Sequence, residues 1–207
     1  MYPVAYEADY VERQSRLITF FRGLLVIPWL LVGIFWGLAA YVCTFIAWFA
    51  IVFTGRYPDG LYQLNAKAHR FAARVNGFYN LLTDEWPAFD GDEHPEYPVR
   101  LVIPAPLPEY NRVKTLFRIF LMIPVMIMAY IFSLLVSIIV ILSWIVILFT
   151  GKQPRGLFDL IKMGLTYIAR AGVYYGLLTE AFPPISGEDQ GDPLPSSPPP
   201  GGIAPTA

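Results

Sequence analysis

The sequence predicts an all-α integral membrane protein built from two tandem repeats, each a transmembrane helical hairpin followed by an amphipathic interfacial helix. Three observations predict it. Of 207 residues, 56% are hydrophobic and 15% charged, and the mean hydropathy is +0.49, more apolar mass than a water-soluble globule hides. That mass lies in two blocks, residues 17–54 and 113–150, each far beyond the roughly 18 apolar residues that mark a bilayer-spanning candidate. Finally, FTGRYPDGL at residues 53–61 returns 96 positions later as FTGKQPRGL.

The repetition extends well past that motif. At a constant offset of 96, Phe21-Arg22 matches Phe117-Arg118, Ile27-Pro28 matches Ile123-Pro124, Trp48 matches Trp144 and Arg74 matches Arg170. LLTDEWP at 81–87 returns as LLTEAFP at 177–183. Chance hydrophobic likeness would not keep Pro, Arg and Trp in register, so the chain reads as an internal duplication. It divides into a first membrane repeat at 1–90, an acidic linker at 91–96, a second repeat at 97–186 and a tail at 187–207.

The polar start MYPVAYEADYVERQSR shows neither a basic n-region nor a small-residue cleavage site, so no removable signal is expected. The YPV stretches at 2–4 and 97–99 suggest a short pair of β segments at the repeat starts. Each apolar block then poses a problem of length, because 38 residues of helix would measure about 57 Å against a hydrocarbon layer of about 30 Å. Either one long span is kinked at Pro28 and Pro124, or each block turns back as a hairpin. Single crossings would divide the 15 basic residues almost evenly between the two sides, seven with Arg13 and eight with Arg56, whereas hairpins leave all of them on one. Hairpins are therefore expected, with turns at GIFWG (33–37) and AYIFS (129–133), and with both termini cytoplasmic in a multi-pass protein of the cell membrane.

After each block, Gly55 and Gly151 suit a left-handed residue just past a helix end, and Pro58 and Pro154 stop the helix. With Gly60 and Gly156 these form the expected structural turn, and Arg56 and Lys152 are placed to meet lipid phosphate and the negative end of the helix dipole. From 61 to 82 the apolar positions Leu61, Leu64, Ala68, Phe71, Val75, Phe78 and Leu82 alternate spacings of three and four, which predicts an amphipathic helix. Lys67, Arg70 and Arg74 fall on another face, so the helix is expected in the interface. The equivalent helix at 157–178 is less charged and is expected to sit deeper. The linker around DEWPAFDGDEHPEYP is acidic and proline-rich, and GEDQGDPLPSSPPPGGIAPTA is too poor in apolar bulk to fold.

The YPV start, RLITFFR, the two FTG motifs and the LLTDEWPAF and LLTEAFPPI closings together resemble a bacterial membrane family, common in actinobacteria, catalogued as domain of unknown function 4389. The resemblance covers almost everything before Ser186 and implies a membrane location. It implies no catalytic residue, because the family has no established activity. The second copy departs at Gln153, where the first has Tyr57.

Chemistry is scarce. The only histidines, His69 and His94, are separated by a helix end and a linker, and the single Cys43 lies in an apolar block, so neither a metal site nor a disulfide is expected. No GxSxG, GxxxxGK or HExxH motif occurs, and the acidic residues Asp84 and Glu180 near each LLT lack nucleophile and base partners. With a net charge of −1 nucleic acid is not an expected partner, and no cofactor is implied. Both blocks lack Asp, Glu, Lys, Arg and His in their interiors, which argues against a proton-coupled carrier. The expected function is a noncatalytic membrane scaffold or accessory subunit. Its headgroup contacts would be Arg22, Lys67, Arg70, Arg74, Arg118 and Arg170, and its partners membrane lipid, other membrane proteins or a second copy. The alternative is a small channel or transporter for an uncharged or lipid-like solute.

Overall fold

The structure, a computed structural model, describes residues 2–184; the tail at 187–207 lies outside them. Strand β1 (Ala5–Ala8) leads into α1 (Arg16–Leu25), the long α2 (Ile27–Thr54) and α3 (Asp59–Tyr79). The second repeat follows the same plan with β2 (Val99–Val102), α4 (Arg112–Leu116), the long α5 (Arg118–Thr150) and α6 (Arg155–Tyr175). β1 and β2 pair antiparallel, Ala5 opposite Val102 and Ala8 opposite Val99, so the expected β segments at the repeat starts do meet, just downstream of the first YPV.

The expected hairpins do not form. Residues 33–37 and 129–133 lie inside the unbroken α2 and α5. Nothing in either stretch forces a turn, and an unbroken helix keeps the backbone groups there hydrogen-bonded. Gly33 faces the Phe71 ring of α3, where a Cβ would sit 3.6 Å away in ordinary contact. The excess length is absorbed by a break at Val26 between α1 and α2, with Pro28 in the first turn of α2 where its missing N–H costs nothing. In the second repeat the break falls at Phe117 and Pro124 lies within α5. Two helices are thus long and apolar enough to cross a membrane.

Gly55 and Gly151 adopt the expected left-handed conformation, with φ of 76° and 71°. Gly60 and Gly156 do not belong to the turn; they lie in the first turns of α3 and α6, which Pro58 and Pro154 precede as N-caps. α3 runs antiparallel along α2, with Phe78 against Trp29, Phe71 against Trp36 and Asn65 bonded to Thr44. α6 follows α5 in the same way, Tyr167 stacking on Phe132. α3 and α6 also touch each other and support β2 and β1 respectively, forming a middle layer between the sheet and the long helices.

The repeats are locked by exchange. α1 packs on α5 and α4 on α2, with Trp144 Nε1 donating to Thr19 O at 2.9 Å and Trp48 Nε1 donating to Thr115 O at 3.1 Å. These bonds are related by the same 96-residue offset. The main core lies where the sheet meets α3 and α6, around Val4, Val99, Phe158, Ile161 and Leu178.

Candidate functional site: an apolar face with basic ends

The long helices bury one side against α3 and α6 and leave the other bare. In the first repeat Leu17, Leu24, Leu31, Leu38 and Phe45 recur every seventh residue and are 58–69% exposed. In the second, Phe120, Ile127, Leu134 and Ile141 do the same at 48–68%. Seven-residue spacing keeps a helix face nearly constant, so each long helix carries a continuous unpartnered stripe. This far exceeds the scattered apolar exposure of a monomer in water.

Exposed cations gather at the ends of these stripes. Each lead-in helix starts beside the C-terminus of the other repeat's long helix. Arg112 reaches the end of α2, its Nη2 donating to Thr54 O at 3.1 Å, beside exposed Arg56. At the end of α5, a Cβ on Gly151 would lie 3.3 Å from Arg16 Nε. The backbones of Arg13 and Lys152 pair there as an isolated antiparallel β-bridge, and Arg155 lies over the Tyr10 ring. Lys152 pairs with Glu12 at 2.8 Å, which raises the lysine pKa and lowers the glutamate's. Cations at helix C-termini are favoured by the macrodipole.

The six basic residues expected at lipid headgroups are occupied within the fold. Arg22 is buried and donates to Phe78 O, to Thr83 O at 2.9 Å and to Asp84. Arg118 does the same one repeat later, donating to Tyr174 O at 2.7 Å and to Thr179 O, with its guanidinium 3.9 Å from the Tyr174 ring centre. The two arginines close the C-termini of α3 and α6 respectively, where Leu81 and Leu177 turn at φ of 66° and 60°. Arg74 is buried under the linker, bonded to Asp90 and to Asp92 O. Lys67 pairs with Asp92 at 2.7 Å and Arg70 with Glu93 at 2.6 Å. Arg170 is buried, donates to Val4 O and stands over the Tyr2 ring. Four of the six are 5% exposed or less, so headgroup phosphate contact is not their role. Distant carbonyls and a folded-down linker claimed them, and local spacing reveals neither.

The acidic corners have a structural explanation. Asp84 accepts the backbone N–H of Ser15, the N-cap of α1, and Glu180 accepts that of Asn111, the N-cap of α4, both at 2.6 Å. Ser15 and Asn111 in turn cap Ile18 and Lys114. Tyr57 and Gln153, the position where the copies differ, are both buried: Tyr57 donates to Gly176 O at 3.1 Å, and Gln153 joins Gln14. His94 lies between Asp90 and Glu96, which raise its pKa, Asp90 first, while it holds Asp90 down. Among the described residues no three His, Cys, Asp or Glu side chains gather as a metal site would require.

The sequence reading missed the seat of the acidic linker. Trp29 Nε1 donates to Pro87 O at 2.7 Å and Trp36 Nε1 to Phe89 O at 3.1 Å, and Trp29 stacks on Phe89 with centroids 4.8 Å apart. The surplus of aromatic and acidic residues opposite a basic helix face was the available signal. No curated protein and no solved structure matches the chain. One family profile does, over residues 16–90 and again over 112–186, the same two copies that the 96-residue offset delimits. The chain belongs to the family described as Domain of unknown function (DUF4389), of which it carries two tandem copies.

Proposed function

We propose that the protein is a noncatalytic scaffold embedded in a single membrane leaflet, with α1–α2 and α4–α5 lying along the plane of the bilayer and the basic ends gripping anionic lipid. One observation carries the reading: the acidic linker is level with the middle of α2. Through α3 it reaches Arg74, Arg70 and Lys67, which stand beside Phe71 and Ala68 and hence beside Trp36 and Ala40. The side chains of Asp90, Asp92 and Glu93 are 47%, 60% and 72% exposed. An upright α2 would hold these solvated carboxylates at the bilayer centre, at a cost of roughly 2.5–3.5 kcal/mol or more for each. Lying flat, the helix puts its bare stripe in hydrocarbon and the linker in water.

The same disposition satisfies the charge distribution without hairpins, because nothing crosses and every basic residue stays on one side. Headgroup contact then falls to Arg16, Arg56, Arg112 and Arg155, all exposed, each worth about 1 kcal/mol near an anionic surface. Vesicle flotation of the full chain tests this. Reversing those four to Glu is expected to reduce binding to phosphatidylglycerol vesicles by at least tenfold while binding to phosphatidylcholine vesicles persists. Unchanged binding to the anionic vesicles would remove the basic ends from the mechanism.

A further inference from the structure

The two repeats differ most tellingly along one side of the first long helix. At the 96-residue offset, Gly23, Gly33, Gly37, Ala40 and Ala72 correspond to the bulkier Ile119, Ala129, Ser133, Val136 and Ile168, while Ala68 and Asn76 give way to Gly164 and Gly172. In the second repeat that bulk fills space: Val136 is buried, and a Cβ on Gly164 would come within 2.2 Å of its Cγ2. In the first, a cavity of about 680 Å³ remains between α2 and α3, well within the size range of small-molecule sites. A Cβ at Gly23 or Gly37 would meet no atom within 4 Å.

Shape and lining identify the occupant. The groove runs from Gly23 and Tyr79 to Ala40 and Ala68, a length of about 17 Å along α3 at helical rise. Apolar side chains line most of that length, as a hydrocarbon chain requires. Leu30 and Ile34 line it and also belong to the exposed stripe, at 53% and 65% exposure, so it opens sideways onto the apolar face. No charged side chain lines it.

One polar group stands out. His69 lines the groove, backed by Gly172 of α6 and by Gly176 just past its end, and has no hydrogen-bond partner among the described residues. The corresponding residue of the second repeat is Leu165. Burial lowers the His69 pKa to about 4, so at neutral pH the imidazole has one N–H to donate and one nitrogen to accept. The ring is half-buried and so within reach of a molecule lying in the groove.

We propose that this groove is a binding site for a single-chain lipid, a fatty acid or long-chain alcohol, whose oxygen-bearing head bonds to His69 while its chain lies along Gly37, Gly33 and Gly23. The leaflet-embedded reading supplies only the route by which such a lipid arrives. Duplication thus yielded one copy with a filled seam and one with a site.

The test uses the full chain in mild detergent, where Trp29 and Trp36 line the groove. Titration with 9,10-dibromostearate is expected to quench part of the tryptophan emission saturably at one equivalent per chain. Gly37→Leu, and independently Ala40→Leu, should abolish the saturable component. His69→Leu should weaken the midpoint about tenfold, the value of one buried hydrogen bond, and Ser137→Leu on the exposed face of α5 should leave it unchanged. Quenching that only rises linearly in the parent chain, or that stays saturable in both filled variants, overturns the site. Vesicle flotation of the same proteins reports separately on the membrane reading, which survives if flotation persists without saturable quenching.

Discussion

Arg22 and Arg118 occupy equivalent places and answer to the same carbonyls one repeat apart, yet their surroundings differ. Arg22 pairs with Asp84, whereas Arg118 bonds to carbonyls and lies over the Tyr174 ring. Removing Arg22 strands a carboxylate, so Arg22→Ala is expected to lower the unfolding free energy by about 3–5 kcal/mol. Arg118→Ala is expected to cost about 2–3 kcal/mol, and denaturant titration in detergent should show this order. Equal losses would mean that Asp84 contributes nothing. His69 makes a pH-dependent counterpart. Its folded pKa of about 4 lies below the usual value of about 6.5, so between these pH values the unfolded chain binds more protons, and stability falls on acidification. The melting temperature should therefore drop more steeply from pH 6.5 to 4 in the parent than in His69→Leu, and coincide in slope above pH 7. Parallel curves throughout would show that His69 is not held neutral. As for legibility, the 96-residue offset exposes Arg22 and Arg118 as a matched pair, but their partners lie 56 to 61 residues away. A basic residue next to an apolar block therefore suggested lipid.

At the scale of elements, periodicity was informative where apolar and polar residues alternate. The stripe from Leu61 to Leu82 outlined α3 to within a few residues and marked its buried side, with only Leu64 left well exposed. Inside the two apolar blocks the pattern carries no such contrast, because the face covered by α3 or α6 and the bare face are built from the same residue types. The length excess was visible and its resolution was not: a break at Val26 or Phe117 looks no different in sequence from a turn at Gly33. The linker's seat was equally hidden, since it depends on Gly91 lying flat on α3. A Cβ there would come within 2.5 Å of the Lys67 carbonyl oxygen, so Gly91→Ala must lift the linker and loosen the pairs to Lys67 and Arg70. Hydrogen exchange of residues 84–96 should rise severalfold while α5 and α6 stay protected. Unchanged protection of the linker would mean that its seat tolerates the methyl group.

For the whole molecule, the central claim is that two long apolar helices share one depth. The exchanged lead-in helices tie the end of each long helix to the start of the other repeat. The most direct test is the membrane depth of sites spaced along α2. With Cys43 changed to Ala, single cysteines at Leu31, Leu38, Phe45 and Phe53, which span about 33 Å of helix, can carry spin labels in lipid vesicles for depth measurement by oxygen and nickel accessibility. The account predicts four depths within a few ångströms of one another, all below the headgroups of one leaflet. A depth that changes steadily from Leu31 to Phe53, passing through the bilayer centre, would contradict it and establish α2 as a transmembrane span.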